Sequence, residues 1–336
     1  MTSTQLSPQG DPGTINGGTG DETDALPSAP SWLLVSPSWL QAHLEDSDLM
    51  VLDCTAYLDD SLDPATRLSR AHSEFRQSHI PGAKFVDIER ELSDPTHPVR
   101  FMAPGPEQLS DALQRLGIGA NTRVVVYSRG EMWTATRMWW VLRLYGFDRC
   151  SVLDGGWTLW NLEARPTASG EGAFRSTHRP VGWQPFTPLK RVALLANRHD
   201  VLKSIEKKNT ALVNARLPPF FLGEGGNVYG RRGHIVGSFN VPAAFHLDTQ
   251  TQRFLPVANL RAQFDKVLAP GCEVIAYCGY GLAASGTVFS LALLGREGVR
   301  LYDGSLAEWA ADPCLPMASE PTDTGREESD GTESRS

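Results

Sequence analysis

The chain has 336 residues, enough for two domains at the usual domain size. Hydrophobic residues make up 41% and charged residues 21%, a balance that fills real cores, and the formal net charge is −8. An acidic chain lacks the basic surface that nucleic acids or anionic membranes require, and no apolar run approaches the ~20 residues of a membrane-spanning helix, so neither partner is expected.

In chain order, residues 1–30 are rich in Ser, Thr, Gly and Asp and contain no basic residue, which predicts a disordered tail rather than a secretory or mitochondrial leader. A first domain is expected over 31–165. It opens with an apolar strand at Leu49-Met50-Val51-Leu52-Asp53, followed by a helical stretch from Glu107 to Leu116 and a strand at Val124-Val125-Val126-Tyr127. Residues 166–192 are polar, Pro-rich and aperiodic, and read as a linker long enough to pack across both domains. A second domain is expected over 193–317. Its strands are Ala211-Leu212-Val213-Asn214-Ala215 and Val274-Ile275-Ala276-Tyr277, with helical stretches at Leu260 to Leu268 and Val288 to Leu294. Residues 318–336 read as a second tail. Short Val/Ile/Leu-rich runs alternating with helices predict an α/β fold of mainly parallel strands with covering helices.

The chain repeats itself. His79-Ile80-Pro81-Gly82-Ala83 matches His234-Ile235-Val236-Gly237-Ser238, and Val124–Ser128 matches Val274–Cys278. Trp139–Gly146 matches Val288–Gly295, and Val152-Leu153-Asp154-Gly155-Gly156-Trp157 matches Leu301-Tyr302-Asp303-Gly304-Ser305-Leu306. Four matches in one order mean a duplication. It is chemically unequal: Ser128, in a bulky loop, stands where the second copy has Cys278. The first copy is therefore read as a degenerate partner that shapes a cleft. Asp154 and Asp303 read as turn or helix-cap residues.

Cys278 carries the chemistry in this reading. It ends an apolar strand, is followed by the glycine-containing loop Gly279-Tyr280-Gly281-Leu282-Ala283, and precedes a helix. Such a turn aims backbone N–H groups inward and sets the thiol at the positive end of a helix, which should lower its pKa and favour the reactive thiolate. The four other cysteines, Cys54, Cys150, Cys272 and Cys314, read as bystanders. An odd number of widely spaced cysteines fits a reducing, cytoplasmic setting. No His/Cys spacing suggests a metal, and no cofactor is expected.

Together, the HIPGA motif at His79 with Phe85 and Asp87, Leu92-Ser93-Asp94-Pro95, Trp139-Trp140, Leu153-Asp154-Gly155-Gly156-Trp157 and the Cys278 loop resemble the tandem-rhodanese sulfurtransferases, over about Trp32 to Pro316. The resemblance implies two rhodanese-like α/β domains, each a mainly parallel sheet with helices on both faces, with the active cysteine in the cleft between them. It implies a ping-pong cycle. The thiolate takes a sulfane sulfur from 3-mercaptopyruvate or thiosulfate, holds it as a persulfide, and passes it to cyanide, a small thiol or a protein thiol such as thioredoxin. Gly279 resembles the mercaptopyruvate-type loop, whereas Tyr280 and Ala283 depart from its usual Ser and Thr. Phe220 stands where the family carries a substrate-binding Arg, so Arg216, Arg231 and Arg232 become candidates to bind an anionic donor. His79 either caps a loop or, as the mercaptopyruvate-type resemblance implies, relays protons near the sulfur.

Three other readings compete. A sulfur carrier or non-catalytic interaction module would explain Phe220 and Tyr280. A cysteine phosphatase needs an Arg six residues after its cysteine, where this chain has Ala284, so phosphate would lack its bidentate clamp. A dinucleotide enzyme lacks the third glycine of its fingerprint.

Overall fold

The structure, a computed structural model, describes residues 32–59, 61–172, 182–207, 209–226 and 228–319. The expected N-terminal tail, the C-terminal tail from residue 320 onward and linker residues 173–181 lie outside the described residues.

The first half runs β1 (Leu34–Val35), α1 (Pro37–His43), β2 (Leu49–Asp53), α2 (Pro64–Gln77), β3 (Lys84–Phe85), α3 (Pro106–Leu116), β4 (Arg123–Tyr127), α4 (Trp133–Leu144), β5 (Cys150–Leu153) and α5 (Gly156–Leu162). The second half runs β6 (Leu195–Ala196), α6 (Arg198–Glu206), β7 (Thr210–Asn214), α7 (Pro218–Phe221), β8 (His234–Ile235), β9 (Ser238–Asn240), α8 (Val257–Gln263), β10 (Glu273–Tyr277), α9 (Leu282–Leu293), β11 (Arg300–Tyr302), α10 (Ser305–Trp309) and β12 (Met317–Ala318). The sheets have strand orders β1-β5-β4-β2-β3 and β6-β11-β10-β7-β9, and every pairing in them is parallel. The two orders are the same topology written twice, which is the duplication in three dimensions.

The central strands are continuous apolar runs because both faces of each sheet are covered. Side chains alternate between the faces. Val51, Val125 and Leu153 cluster with Leu40 of α1, Phe75 of α2 and Trp160 of α5. Leu52, Val124, Val126 and Val152 turn the other way, toward Leu109 and Leu113 of α3 and Trp140 of α4. In the second sheet Leu212, Ile275 and Tyr302 meet Val201 of α6 and Trp309 of α10. Val213, Val274, Ala276 and Leu301 meet Leu260 of α8 and Phe289 of α9.

One core spans both halves, and α4 and α9 form its seam. Trp139 meets Phe289 edge to face at 4.9 Å. Trp133 lies so close to Gly286 that a Cβ there would sit 2.6 Å from the indole. The hydroxyls of Thr136 and Ser285 share a hydrogen bond of 2.9 Å across the seam. Trp133 is thus part of the joint between the halves.

Several sequence expectations need correction. The first strand of each half is β1 or β6, two residues long and too short to give a periodic signal. Helix α8 stops at Gln263, because the amides of Phe264, Val267 and Leu268 close tight turns instead. The main-chain hydrogen bonds of the described linker residues run to the first half, and the linker's last residue, Val192, opens a turn against β6 and β11. Ala168 pairs with His79, the Ala120 amide donates to the Gln184 carbonyl, and the amides of Leu189 and Arg191 donate to the carbonyls of Tyr145 and Leu144. Side chains add to this hold, with Phe186 edge to face on Phe147 at 5.1 Å and the Trp183 indole donating to the Gly117 carbonyl at 3.2 Å, at a helix end that has carbonyls to spare. Ala318, expected in the tail, pairs with His234 in a short antiparallel ladder.

His246 supports α9 from behind. It is fully buried, its Nδ1 lies 3.0 Å from the Ser290 hydroxyl, and burial pushes its pKa down to about 3. The folded protein therefore holds it neutral while the unfolded chain protonates it below pH ~6.5, so stability falls as pH drops from there toward 3. Between pH 7 and 5 this one group should cost about 2 kcal/mol of unfolding free energy. Urea unfolding of His246→Gln should show a correspondingly smaller loss between the two pH values than the native protein does.

Candidate active site

The end of β10 delivers Cys278 to the carboxyl edge of the second sheet, where α/β folds place their ligands. The residue is 3% exposed. Its carbonyl accepts from the Leu306 amide at 3.1 Å, the Gly279 carbonyl accepts from the Ala307 amide at 3.0 Å, and its own amide donates to the Ser305 hydroxyl at 3.1 Å. The turn is thus laced to the start of α10. Gly281 takes φ 78 to enter α9, and no side chain caps that helix. The first amide to bond back into the α9 turn is that of Ser285, to the Gly281 carbonyl at 3.2 Å. The uncapped N-terminus faces the Cys278 loop, an arrangement suited to anionic sulfur.

The sequence-predicted loop Gly279, Tyr280, Gly281, Leu282 and Ala283 is assembled around the thiol, with Tyr280 and Ala283 half-buried at its outer edge. Glycine is required at 279 because a Cβ there would overlap the Tyr229 hydroxyl. Tyr229 meets the Tyr280 ring edge to face at 5.1 Å, and Phe101 and Arg100 of the first half lean on Tyr280 from the other side.

Arg216 reaches this group. Its guanidinium lies over the rings of Phe220 at 4.6 Å and Tyr229 at 5.1 Å, and among the described residues it forms no ion pair with a carboxylate. Phe220, in place of the family's cation, is the platform on which Arg216 rests. The other two arginines are not brought to the loop. Arg231 donates to the carbonyls of Trp309, Ala310, Asp312 and Leu315 and so clamps the end of α10. Arg232 is exposed, with no contact to the loop.

His79 is also a correction. It is wholly buried in the first half, with Nδ1 at 2.9 Å from the Phe75 carbonyl and its ring stacked on Phe75 at 4.2 Å. His234 repeats the arrangement with Phe221, at 2.8 Å and 3.6 Å, and burial lowers its pKa. Two histidines in equivalent packed positions, one in the half without the thiol, mark a scaffold motif.

The corresponding loop of the first half is filled from within. Ser128 donates to the Glu131 carbonyl at 2.7 Å. Arg129, aligned with Gly279, stacks on Trp157 at 4.0 Å, bonds the Ser78 carbonyl and lies 3.7 Å from the buried carboxylate of Asp53. The second copy has neutral Asn214 in place of Asp53 and no side chain in place of Arg129. A buried carboxylate beside the loop would oppose an anion, and burial already raises the Asp53 pKa. One copy is filled by its own ion pair, and the other has neither that carboxylate nor that guanidinium at the equivalent positions.

Sequence reasoning missed the group beneath the loop. Arg137 of α4 and Asp303, both side chains 3% exposed, pair at 2.6 Å across the seam. The second carboxylate oxygen accepts from the Ala103 amide at 2.8 Å, and Arg137 also bonds the Phe101 carbonyl. Gly281 sits directly on this pair: a Cβ there would lie 2.9 Å from Asp303 and 3.0 Å from Arg137. The duplication repeats the clasp in reverse, with Asp154 accepting from Arg253 at 2.8 Å and from the Phe254 amide at 3.0 Å. Neither aspartate is a turn cap. An arginine in the middle of the apolar run of α4, away from the helix end where Arg143 lies, was the available signal.

The Rhodanese-like domain family matches this chain twice, over residues 36–163 and 197–312. A probable 3-mercaptopyruvate sulfurtransferase of Pseudomonas aeruginosa is 33% identical over 292 residues, covering 85% of this chain and 98% of that protein. A thiosulfate sulfurtransferase of Rattus norvegicus is 35% identical over 286 residues, covering 82% and 91%. A crystal structure from Escherichia coli, described as a 3-mercaptopyruvate sulfotransferase with the rhodanese fold, superposes with a TM-score of 0.69 at 29% identity, over 81% of this chain and 98% of that one. The chain belongs to the rhodanese family. Within it, the protein is a sulfurtransferase of the tandem-domain type.

The two clasps differ in burial, which sets their expected worth. Asp303→Ala strands a buried guanidinium and should cost about 3–5 kcal/mol. Arg253→Ala removes a half-exposed partner, and the change should be about 1 kcal/mol. Denaturant midpoints of the two variants at neutral pH check the order.

Proposed function

We propose that the protein moves a sulfane sulfur through a persulfide on Cys278, with 3-mercaptopyruvate as its preferred donor. The observation that supports this reading is the uncapped start of α9 beside Cys278, with Asn214 and Gly279 where the first half has the Asp53 carboxylate and the Arg129 plug. In the first step the Cys278 thiolate attacks the donor sulfur. An S–S bond forms, the donor C–S bond breaks, and its electron pair leaves with carbon as the enolate of pyruvate. The proton of the donor thiol ends on the pyruvate methyl group, so the balance needs no acid from the protein. In the second step cyanide or a thiol attacks the outer sulfur, and the thiolate returns. Splitting one transfer into two is the benefit of covalent catalysis, and the N–H groups at the start of α9 would hold the anionic sulfur in both halves of the cycle.

The charge of the site supports the donor assignment. The residues assembled at the loop bring one uncommitted guanidinium, Arg216, and no lysine or arginine follows Cys278 in the loop. One cation matches the single carboxylate of mercaptopyruvate better than the double charge of thiosulfate. Gly279 is required by Tyr229 and keeps the loop in the mercaptopyruvate-type pattern. A small thiol or cyanide fits the acceptor role. A protein thiol acceptor would make the protein a carrier, which is an outcome of the test below.

Thiocyanate release from each donor in the presence of cyanide measures the reaction. Turnover should be faster with mercaptopyruvate and lost in Cys278→Ser. Arg216→Ala should lower kcat/KM for mercaptopyruvate about 10- to 150-fold, the worth of a charged hydrogen bond. Arg231→Ala should reduce stability and leave KM unchanged. No thiocyanate from either donor, or turnover in Cys278→Ser, would overturn the reading. Donor turnover only when a protein thiol replaces cyanide would favour the carrier.

A further inference from the structure

We infer that Ser305 is a positioning residue for Cys278, and that its hydroxyl rather than its fit in the fold is the reason a serine stands there. The inference rests on Cys278 being the reactive thiol.

Ser305 holds φ 49, in the left-handed region that side-chain-bearing residues avoid. The duplicate gives the control. Its counterpart is Gly156, with φ 50, a residue that adopts this conformation freely. The fold therefore imposes the left-handed backbone on both halves, just after the clasp aspartates. The first half meets the demand with glycine, and the second keeps a strained serine. Strain of this kind persists where the side chain returns something.

What it returns is visible. The residue is wholly buried. Its hydroxyl donates to the Tyr302 carbonyl at 2.8 Å, which aims an oxygen lone pair at the Cys278 amide, and the amide donates to it at 3.1 Å. The other contact between the segments, Leu306 amide to Cys278 carbonyl at 3.1 Å, recurs in the first half as Trp157 amide to Ser128 carbonyl at 3.1 Å. The serine bond is thus an addition in the half that carries the thiol. With both faces of the Cys278 peptide fixed, the Cα–Cβ bond points one way in the thiolate and persulfide states. The Cys278 amide is turned into the domain, so the sulfur is left to the N–H groups beyond Tyr280.

The test compares Ser305→Ala with Ser305→Gly in the full chain. Alanine removes the hydroxyl and keeps the strain, whereas glycine removes both. The alkylation rate of Cys278 by iodoacetamide, followed on its own peptide by mass spectrometry across pH, reads the thiolate without any sulfur donor. Both variants should lose turnover by on the order of 10- to 100-fold, as small misplacements of reacting groups do, with donor KM nearly constant. Both should shift the pH midpoint of Cys278 alkylation upward. Ser305→Gly should melt at a higher temperature than Ser305→Ala and still be as slow. Recovery of turnover in Ser305→Gly, or an unmoved alkylation profile in both variants, would overturn the inference. A native Cys278 that alkylates no faster than exposed Cys314 would instead refute Cys278 as the reactive thiol.

Discussion

A single buried ion pair sets the geometry on which the rest depends. Arg137 comes from the first half and Asp303 from the second, and each is hydrogen-bonded beyond the other, to the Phe101 carbonyl and the Ala103 amide. Charges taken out of water are costly unless paired and hydrogen-bonded, and here all but the Nε of Arg137, whose guanidinium lies over the Trp140 ring, find partners. That condition admits one register between the halves, because a small slide would leave a bare charge in the core. Phe101 accepts φ 63 to complete it, as Gln252 accepts φ 57 in the reverse clasp. The apolar seam of α4 and α9 supplies adhesion, and the ion pair supplies position. Since Gly281 rests on the pair, the loop of the second half takes its shape from a side chain of the first.

This gives the first half a role without giving it a reaction. Its own loop is occupied by Arg129 stacked on Trp157 beside the Asp53 carboxylate. Beside Ser128 against Cys278, three replacements distinguish the two loops: Asp53 against Asn214, Arg129 against Gly279, and Gly156 against Ser305. The first two remove a negative charge and a bulky plug, and the third adds a hydroxyl against the cysteine peptide. Duplication supplied the frame twice, and on the proposed reading these few side chains decide which frame can hold anionic sulfur.

Much of the frame was legible in the chain itself. β2, β4, β7 and β10 are two-face-buried runs, so their composition alone marks parallel strands, and paired matches in one order expose the repeat. The strand–loop–helix setting of Cys278 was legible because its three parts are contiguous. What remained hidden depends on contacts distant in sequence. Arg137 and Asp303 are 166 positions apart, and nothing local in an apolar helix tells what an arginine there meets. His79 shows the opposite case: its local motif drew attention, and the fold adds that its Nδ1 bonds the Phe75 carbonyl and its ring stacks on Phe75 within its own half. Arg216 and Arg231 look alike in sequence, and only the fold shows one guanidinium on aromatic faces and the other on four carbonyls. Ser305 could be singled out only when its backbone angle was set beside that of Gly156.

The most direct measurement is the intact mass of the protein after exposure to mercaptopyruvate with no acceptor, followed by peptide mapping. The account predicts one added sulfur atom, located on Cys278 and discharged when cyanide is supplied. An unmodified protein that still turns over, or a sulfur carried on Cys272 or Cys314 and retained in Cys278→Ser, would contradict it.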